Sequence, residues 1–478
     1  MTGARQFTAN VIAQGLARVL SIAANLVLVL AVARLMGAER FGNFSYVLAF
    51  INIAVALADL GTTAVLARGL ALHEGDARAH YLGNFILMRC LLAAAVMLGG
   101  LIAAWLMPHG VQAALLVAAL GVPVLASRFF EPIYQVYGRP WLSLWSNLSF
   151  GLSQLLVALA VWQFPHIGVT PVTVGYVASN ALYTAVAFGL MRRLVRPRWR
   201  PDARLLRAII AVAAPLGVGA MFTTLAIRAD ILALEHFRSS VEMGYYSAAY
   251  RILDIAVFFA VTLVTPLIPI LSREIASDPA GALRRSRMFV QFACILALPV
   301  AIVVPTVAVE LVTLVFGAAY APAAAPLAIL VWDVVLIVLA LIGSAINLAN
   351  GEVDHAYWVA PGGAALSVAL NLWLVPPFGM VGAAWAALGC QVGMLIASQY
   401  YTLARFGNIY EPRAWRRIAL ACAGLSLALL LLQPVGAVLA AVLALLVYAG
   451  LVVRLKLLPI QLLRLLRDAR AARRRPTP

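Results

Sequence analysis

The chain has 478 residues, of which 64% are apolar and only 11% charged, with a mean hydropathy of +0.97. That balance excludes a soluble globular domain, which could not cover so much apolar side chain with polar surface, and it demands lipid as the solvent. The excess of 35 Lys and Arg over 18 Asp and Glu, net +17, would suit nucleic acid in a soluble protein, but here the arginines track membrane loops and nucleic acid is excluded as a partner.

Apolar stretches of about 20 residues, enough to cross a hydrocarbon core of about 30 Å, predict spans over 8–33, 44–67, 82–106, 113–135, 142–162 and 172–191. After a basic stretch from Arg192 to Arg207 come spans over 208–234, 244–272, 288–315, 323–349, 356–375 and 381–404, and two more follow over 416–432 and 435–453. The expected total is about fourteen. Loops on one side carry the arginines: Arg192 to Arg207 between the two sixes, Arg284, Arg285 and Arg287 after the eighth span, and Arg405, Arg413, Arg416 and Arg417 after the twelfth. This bias predicts that both termini are cytoplasmic, with Arg34, Arg40 and Arg238 as the exceptions on the outer side. The first span is too long for a cleaved signal peptide and contains Arg18. The leucines and arginines from Leu458 to Arg475 recur at helical spacing, which suits either the surface of an anionic leaflet or a solvated basic tail.

An internal repeat divides the chain. Laying Phe41 to Ala58 over Met243 to Ala260 without a gap aligns Gly42 with Gly244, Ser45 with Ser247, Ile53 with Ile255 and Ala58 with Ala260, and sets Asn52 opposite Asp254. A shift of six spans is even and preserves orientation, so the repeat predicts two parallel six-helix bundles, with the substrate site of such transporters expected at mid-membrane between them.

The chemistry must come from the few ionisable residues inside spans, since each costs about 2.5–3.5 kcal/mol on insertion scales unless it faces a cavity or a partner. Arg18 lies near the centre of the first span, Arg89 in the third, Arg228 and Asp230 in the seventh, Arg251 and Asp254 in the eighth; Asp59 and Asp333 are the other deep acids. Arg251 and Asp254, three apart, share a helix face and can neutralise each other. Arg228 and Asp230 diverge by about 200° around their helix and cannot. Arginines in a low-dielectric cavity suit a diphosphate, so Arg18, Arg89, Arg228 and Arg251 are the candidate substrate-binding residues. Asn52, Asp59, Asp230, Asp254 and Asp333 are candidates for cavity polarity or ion coupling. Cys90, Cys294, Cys390 and Cys422 sit in apolar runs, and the six histidines form no ligand pair, so no metal or other cofactor is expected.

Arg34-Leu35-Met36-Gly37-Ala38-Glu39-Arg40-Phe41-Gly42-Asn43-Phe44-Ser45, followed by Ala58-Asp59-Leu60-Gly61, resembles the first hairpin of the Wzx-type polysaccharide exporters. These belong to the multidrug/oligosaccharidyl-lipid/polysaccharide exporter superfamily. Arg228-Ala229-Asp230-Ile231, the run from Gly244 to Ile252, and Asn371 to Pro376 continuing through Gly379 to Ala386 extend the resemblance over about residues 8–405. It implies an all-α integral membrane protein whose two pseudo-symmetric bundles form a V-shaped cationic cavity, with two C-terminal helices added. It also implies a flippase that moves undecaprenyl-diphosphate-linked oligosaccharide from the cytoplasmic to the periplasmic leaflet of a bacterial inner membrane, beside a polysaccharide polymerase and glycosyltransferases. The expected domains are bundles over 1–200 and 201–405, two further helices over 406–455 and a basic tail over 456–478. A lipid II flippase or a drug/cation antiporter shares this architecture. A membrane glycosyltransferase or polymerase is disfavoured, because outer loops of about a dozen residues leave little room for acid-base sugar chemistry.

Overall fold

The computed structural model describes residues 2–107, 109–264, 267–350 and 354–457, with the side chains at 2–14, 16–18, 109, 260, 263, 267–270, 276 and 354–358 outside that description. The basic tail from Leu458 therefore lies outside the described residues, as does the side chain of Arg18, whose backbone is helical. Among the described residues every regular element is a helix, which alone satisfies backbone hydrogen bonds within one segment in lipid.

Helix α1, Thr2–Asp59, would be about 87 Å long if straight, far more than a bilayer core. It is broken at Gly37, whose φ of 82° only glycine adopts freely. Asn25 and Asn52 lie on opposite sides of that break and line one cavity, although about 40 Å would part them along a continuous helix, so the two arms lie side by side. A second break at Leu60 and Gly61, both with positive φ, leads into α2, Thr62–Leu72. Gly61 is required there, because a Cβ on it would lie 2.5 Å from the Gly217 nitrogen.

Next come α3 (Gly75–Trp105), α4 (His109–Leu120), α5 (Val122–Leu125) and α6 (Phe130–Val136). The last three form one apolar stretch bent by 54°. Then follow α7 (Leu142–Gln163), α8 (Val169–Leu194), α9 (Ala203–Phe237), α10 (Ser240–Val264), α11 (Leu267–Ser277) and α12 (Pro279–Val303). The chain continues through α13 (Ala308–Phe316), α14 (Ala324–Leu330), α15 (Asp333–Ala349) and α16 (Asp354–Arg405), the last broken at Gly379 with φ 56°. It closes with α17 (Pro412–Leu432) and α18 (Ala437–Arg454). Among the described residues ten helical segments are long and apolar enough to cross a membrane, or eleven with the bent stretch, against the expected fourteen or so. The difference has a physical source, since Val19–Leu72 and Val359–Arg405 each run without a loop through a glycine break.

Contacts divide the chain into two compact units. The first, Met1–Ser247 with Ala360–Met380, is built round aromatic packing of Tyr81, Phe85, Phe129, Phe130, Tyr134, Phe150 and Tyr183. Residues 201–247 group with this unit, so the dividing line falls inside α10. Here the repeat-related glycines meet: a Cβ on Gly42 would lie 2.9 Å from the Gly244 nitrogen, and one on Gly244 would strike the Ala38 carbonyl. Small residues let the second arm of α1 approach α10 this closely.

Two of the arginines that break the expected charge pattern serve as caps. Arg40 donates to the Pro165 carbonyl at 3.2 Å, after α7, and Arg238 donates to the Pro376 carbonyl at 2.7 Å and the Val375 carbonyl at 3.3 Å. Glu242 completes the second arrangement by accepting from Met380 N–H at 3.1 Å, so the Gly379 break has a cation on its carbonyl side and an anion on its amide side.

The second unit, Ala248–Val359 with Val381–Pro478, is held by polar contacts at mid-helix. Gln399 of α16 donates to the Leu339 carbonyl at 3.0 Å, and Asn347 of α15 donates to the Ser398 carbonyl at 3.2 Å while accepting from Thr402 at 3.1 Å. Tyr448 of α18 donates to the Ile295 carbonyl of α12 at 2.9 Å and anchors the last helix to this unit. Such bonds hold helices together where lipid removes the hydrophobic drive for association.

Candidate functional site

The expected site residues fall into different situations. Arg89, expected to reach substrate, is buried and committed to protein partners. Its guanidinium pairs with Asp59 at 2.5 Å and donates to Thr62 Oγ1 at 3.0 Å, to the Ala58 carbonyl at 3.3 Å and to the Ala126 carbonyl. Those carbonyls belong to the broken ends of α1 and α5, so one arginine satisfies two interrupted helices at once. Asp59, expected to be free for a cavity, is held by Arg89 and by the Thr63 hydroxyl.

Asp230 on α9 is buried; it accepts from the Tyr246 hydroxyl of α10 and, at 2.7 Å, from the Ile231 N–H. Arg228, two residues earlier, is half-buried and forms no direct ion pair among the described residues, although its charge acts on the Asp230 carboxyl. In the second unit Arg251 pairs with Asp254 at 3.2 Å, the spacing-based partner, and Asp333 is buried at the start of α15. Arg18 has helical backbone and a side chain outside the described residues.

A cavity of about 490 Å³ opens inside the first unit. Both arms of α1 contribute, with Ser21 and Asn25 on one and Asn52 on the other; α7 adds Asn147 and Phe150, and α8 adds Tyr176, Asn180 and Tyr183. The bend between α5 and α6 supplies Arg128, and α6 supplies Glu131. Arg128 is tightly positioned: Nε and Nη2 donate to Asn180 Oδ1 at 3.3 and 3.2 Å, and the guanidinium carbon lies 4.2 Å from the Phe150 ring centre and 4.9 Å from that of Tyr183. Asn180 is itself fixed by donating to the Tyr176 carbonyl at 2.9 Å, and Asn147 by donating to the Ser143 carbonyl at 2.9 Å while accepting from Ser21 at 3.1 Å. Of the expected residues the structure brings Asn52 to this cavity, where its amide donates to the Leu48 carbonyl at 2.8 Å and its oxygen faces outward from that bond.

Sequence reasoning missed Arg128 and Glu131. Both lie inside the fourth predicted span, three residues apart, which is the same signal that singled out Arg251 and Asp254. Arg128 lies in the non-helical turn before α6 and Glu131 in the first turn of α6, so the spacing does not put them on one helix face, and they form no ion pair among the described residues.

Residues 7–274, more than half of the chain, match the family described as polysaccharide biosynthesis protein. The chain belongs to that family. No curated protein sequence matches it. Among solved structures it is similar to the lipid II flippase MurJ in an inward closed conformation, with TM-score 0.76 at 12% identity over 94% of this chain and 99% of that one. It is also similar to an inward-facing multidrug resistance MATE family transporter of the MOP superfamily, with TM-score 0.65 at 15% identity over 84% and 95% of the two chains. A third is a MOP superfamily transporter from Pyrococcus furiosus, described as having a binding pocket of reverse polarity, with TM-score 0.56 at 14% identity over 87% and 95%. This member of the polysaccharide biosynthesis family thus shares the fold of those structures, and its apolar helices make it a multi-pass membrane protein.

Proposed function

We propose that this member of the polysaccharide biosynthesis family flips an undecaprenyl-diphosphate-linked oligosaccharide from the cytoplasmic to the periplasmic leaflet of a bacterial inner membrane, by alternating access. The observation that carries the reading is Arg228, a half-buried guanidinium within an apolar helix that has no ion-pair partner among the described residues, in a chain of a family named for polysaccharide biosynthesis. A guanidinium in a span without a direct ion pair can gain by pairing with an anion, and a lipid diphosphate is an anion that enters the bilayer with its own apolar tail. In this reading Arg228 and Arg18 of the first unit meet the diphosphate, while the polyprenyl chain stays in lipid.

Lipid II is the second candidate cargo, favoured by the fold likeness to MurJ, whereas the family match over residues 7–274 favours a surface glycan. A cationic drug is disfavoured, because the carboxylate lining the first-unit cavity, Glu131, shares it with Arg128 and leaves no net negative charge.

The test is glycan export in cells lacking their own flippase, complemented by this chain at matched membrane level. Arg228→Ala should lower export at least about tenfold, the loss of one charge-assisted contact, and Arg228→Lys should recover part of it if charge rather than a bidentate fork is what matters. Export unchanged in both Arg228→Ala and Arg18→Ala removes these arginines from the site.

A further inference from the structure

The cavity inside the first unit has a chemistry different from that of the arginines assigned to the diphosphate. Its described lining holds one cation, Arg128, and one anion, Glu131, and most of the remaining polarity of that lining comes from uncharged amides. A diphosphate brings several negative charges and would be opposed by Glu131. An alkyl chain would displace water from Asn25, Glu131 and the Asn52 oxygen and offer them no hydrogen bond in return. A ligand that suits the lining must be uncharged, must both donate and accept hydrogen bonds, and must present an apolar face to aromatic rings. A pyranose sugar has all three properties.

We propose that this cavity is a subsite for one neutral sugar residue of the translocated headgroup, an inference that rests on the flippase reading above and adds where its sugar specificity resides. Arg128 is prepared for the role. Asn180 fixes one edge of the guanidinium and the Phe150 and Tyr183 rings pack against it, which leaves Nη1 without a hydrogen bond to protein among the described residues and free to donate. Ordering that long side chain in advance removes an entropy cost that binding would otherwise carry. Glu131 makes no hydrogen bond or ion pair among the described residues and supplies acceptors. Asn25 likewise keeps both its donor and its acceptor, and Asn52 keeps its oxygen. Tyr176, partly exposed at the cavity, offers a ring to the C–H face of a sugar. The volume of about 490 Å³ falls within the range of about 300–1,000 Å³ typical of small-ligand sites.

The experiment measures equilibrium binding to the purified full chain in nanodiscs. The probes are undecaprenyl diphosphate and the same lipid carrying glucose, galactose or N-acetylglucosamine, and the readout is the ratio of sugar-bearing to bare-lipid affinity within each variant, which cancels general effects on folding. The wild-type chain should bind at least one sugar-bearing lipid about tenfold more tightly than the bare lipid, the worth of one or two hydrogen bonds to charged groups. That ratio should fall below about threefold in Glu131→Gln and in Asn25→Leu, both of which leave the Arg128 and Asn180 anchor in place. Arg128→Lys should lower it as well, and a well-folded Arg128→Lys chain with an intact ratio counts against the proposal. The subsite is overturned if no sugar raises affinity above the bare lipid, or if the increment survives in both Glu131→Gln and Asn25→Leu. The flippase reading fails separately, if bare undecaprenyl diphosphate does not bind or binds equally well to Arg228→Ala.

Discussion

Arg89 shows what a buried guanidinium does when its surroundings are complete. With Asp59, Thr62 and the carbonyls of Ala58 and Ala126 around it, the group closes two helix breaks and has nothing left for substrate. Removing it strands a carboxylate and several carbonyls in a dry site, so Arg89→Ala should destabilise the protein by about 3–5 kcal/mol. The sign of this is a large loss of thermal stability in detergent with little folded protein to assay, in contrast to Arg228→Ala, which should keep its stability and lose export. Asp202 gives a second case, outside the membrane. It caps α9, accepting from Arg204 N–H at 2.9 Å and Leu205 N–H at 3.2 Å, and those bonds hold its carboxyl below the ordinary carboxylate range. A depressed folded-state pKa means that its stabilising contribution is present above the unfolded value near 4 and is lost as pH falls through the folded one. Thermal unfolding from pH 6 down to pH 3 should therefore show a smaller acid loss in Asp202→Asn, which keeps a capping oxygen without the titration.

Helix breaks recur wherever the elements do something other than cross lipid. Gly37, Gly61 and Gly379 sit at positive φ, and the non-helical residues 126–129 before α6 place Arg128 in the lining of the first-unit cavity. At the Gly42 and Gly244 contact the requirement is proximity rather than dihedral freedom, since each glycine lies on the backbone of the opposite helix. Gly244→Ala should cost about 1–3 kcal/mol by overpacking. A matching penalty for Gly42→Ala and a less than additive double variant would show that the two positions share one interface. The cap at Gly379 is more exposed. Arg238→Ala should cost only about 1 kcal/mol, because water can replace the guanidinium on the Val375 and Pro376 carbonyls. That cap also gives Arg238 a structural reason to sit in a loop expected to be poor in arginine.

At the scale of the whole molecule, the arginine distribution predicts that reporter fusions ending near 200, 406 and 457 all sit on the cytoplasmic side, and a fusion reporting the opposite compartment at any of them would overturn the topology. Length and hydropathy made the membrane class and the helical fold legible, because a helix in lipid satisfies its backbone locally and leaves its length and polarity in the linear sequence. The Arg251 and Asp254 pair was readable for the same reason, being set by one turn of one helix. What only the tertiary structure decided lay between segments. Asp59 and Arg89 are thirty residues apart and neutralise each other, and the cavity draws on both arms of α1, the bend before α6, α7 and α8. Arg128 lies in the non-helical turn ahead of α6, so its spacing to Glu131 is not that of one helix face. Spacing along one helix is a local quantity, whereas the counter-ion of a buried charge and the walls of a cavity are chosen by whichever distant segments the packing brings alongside.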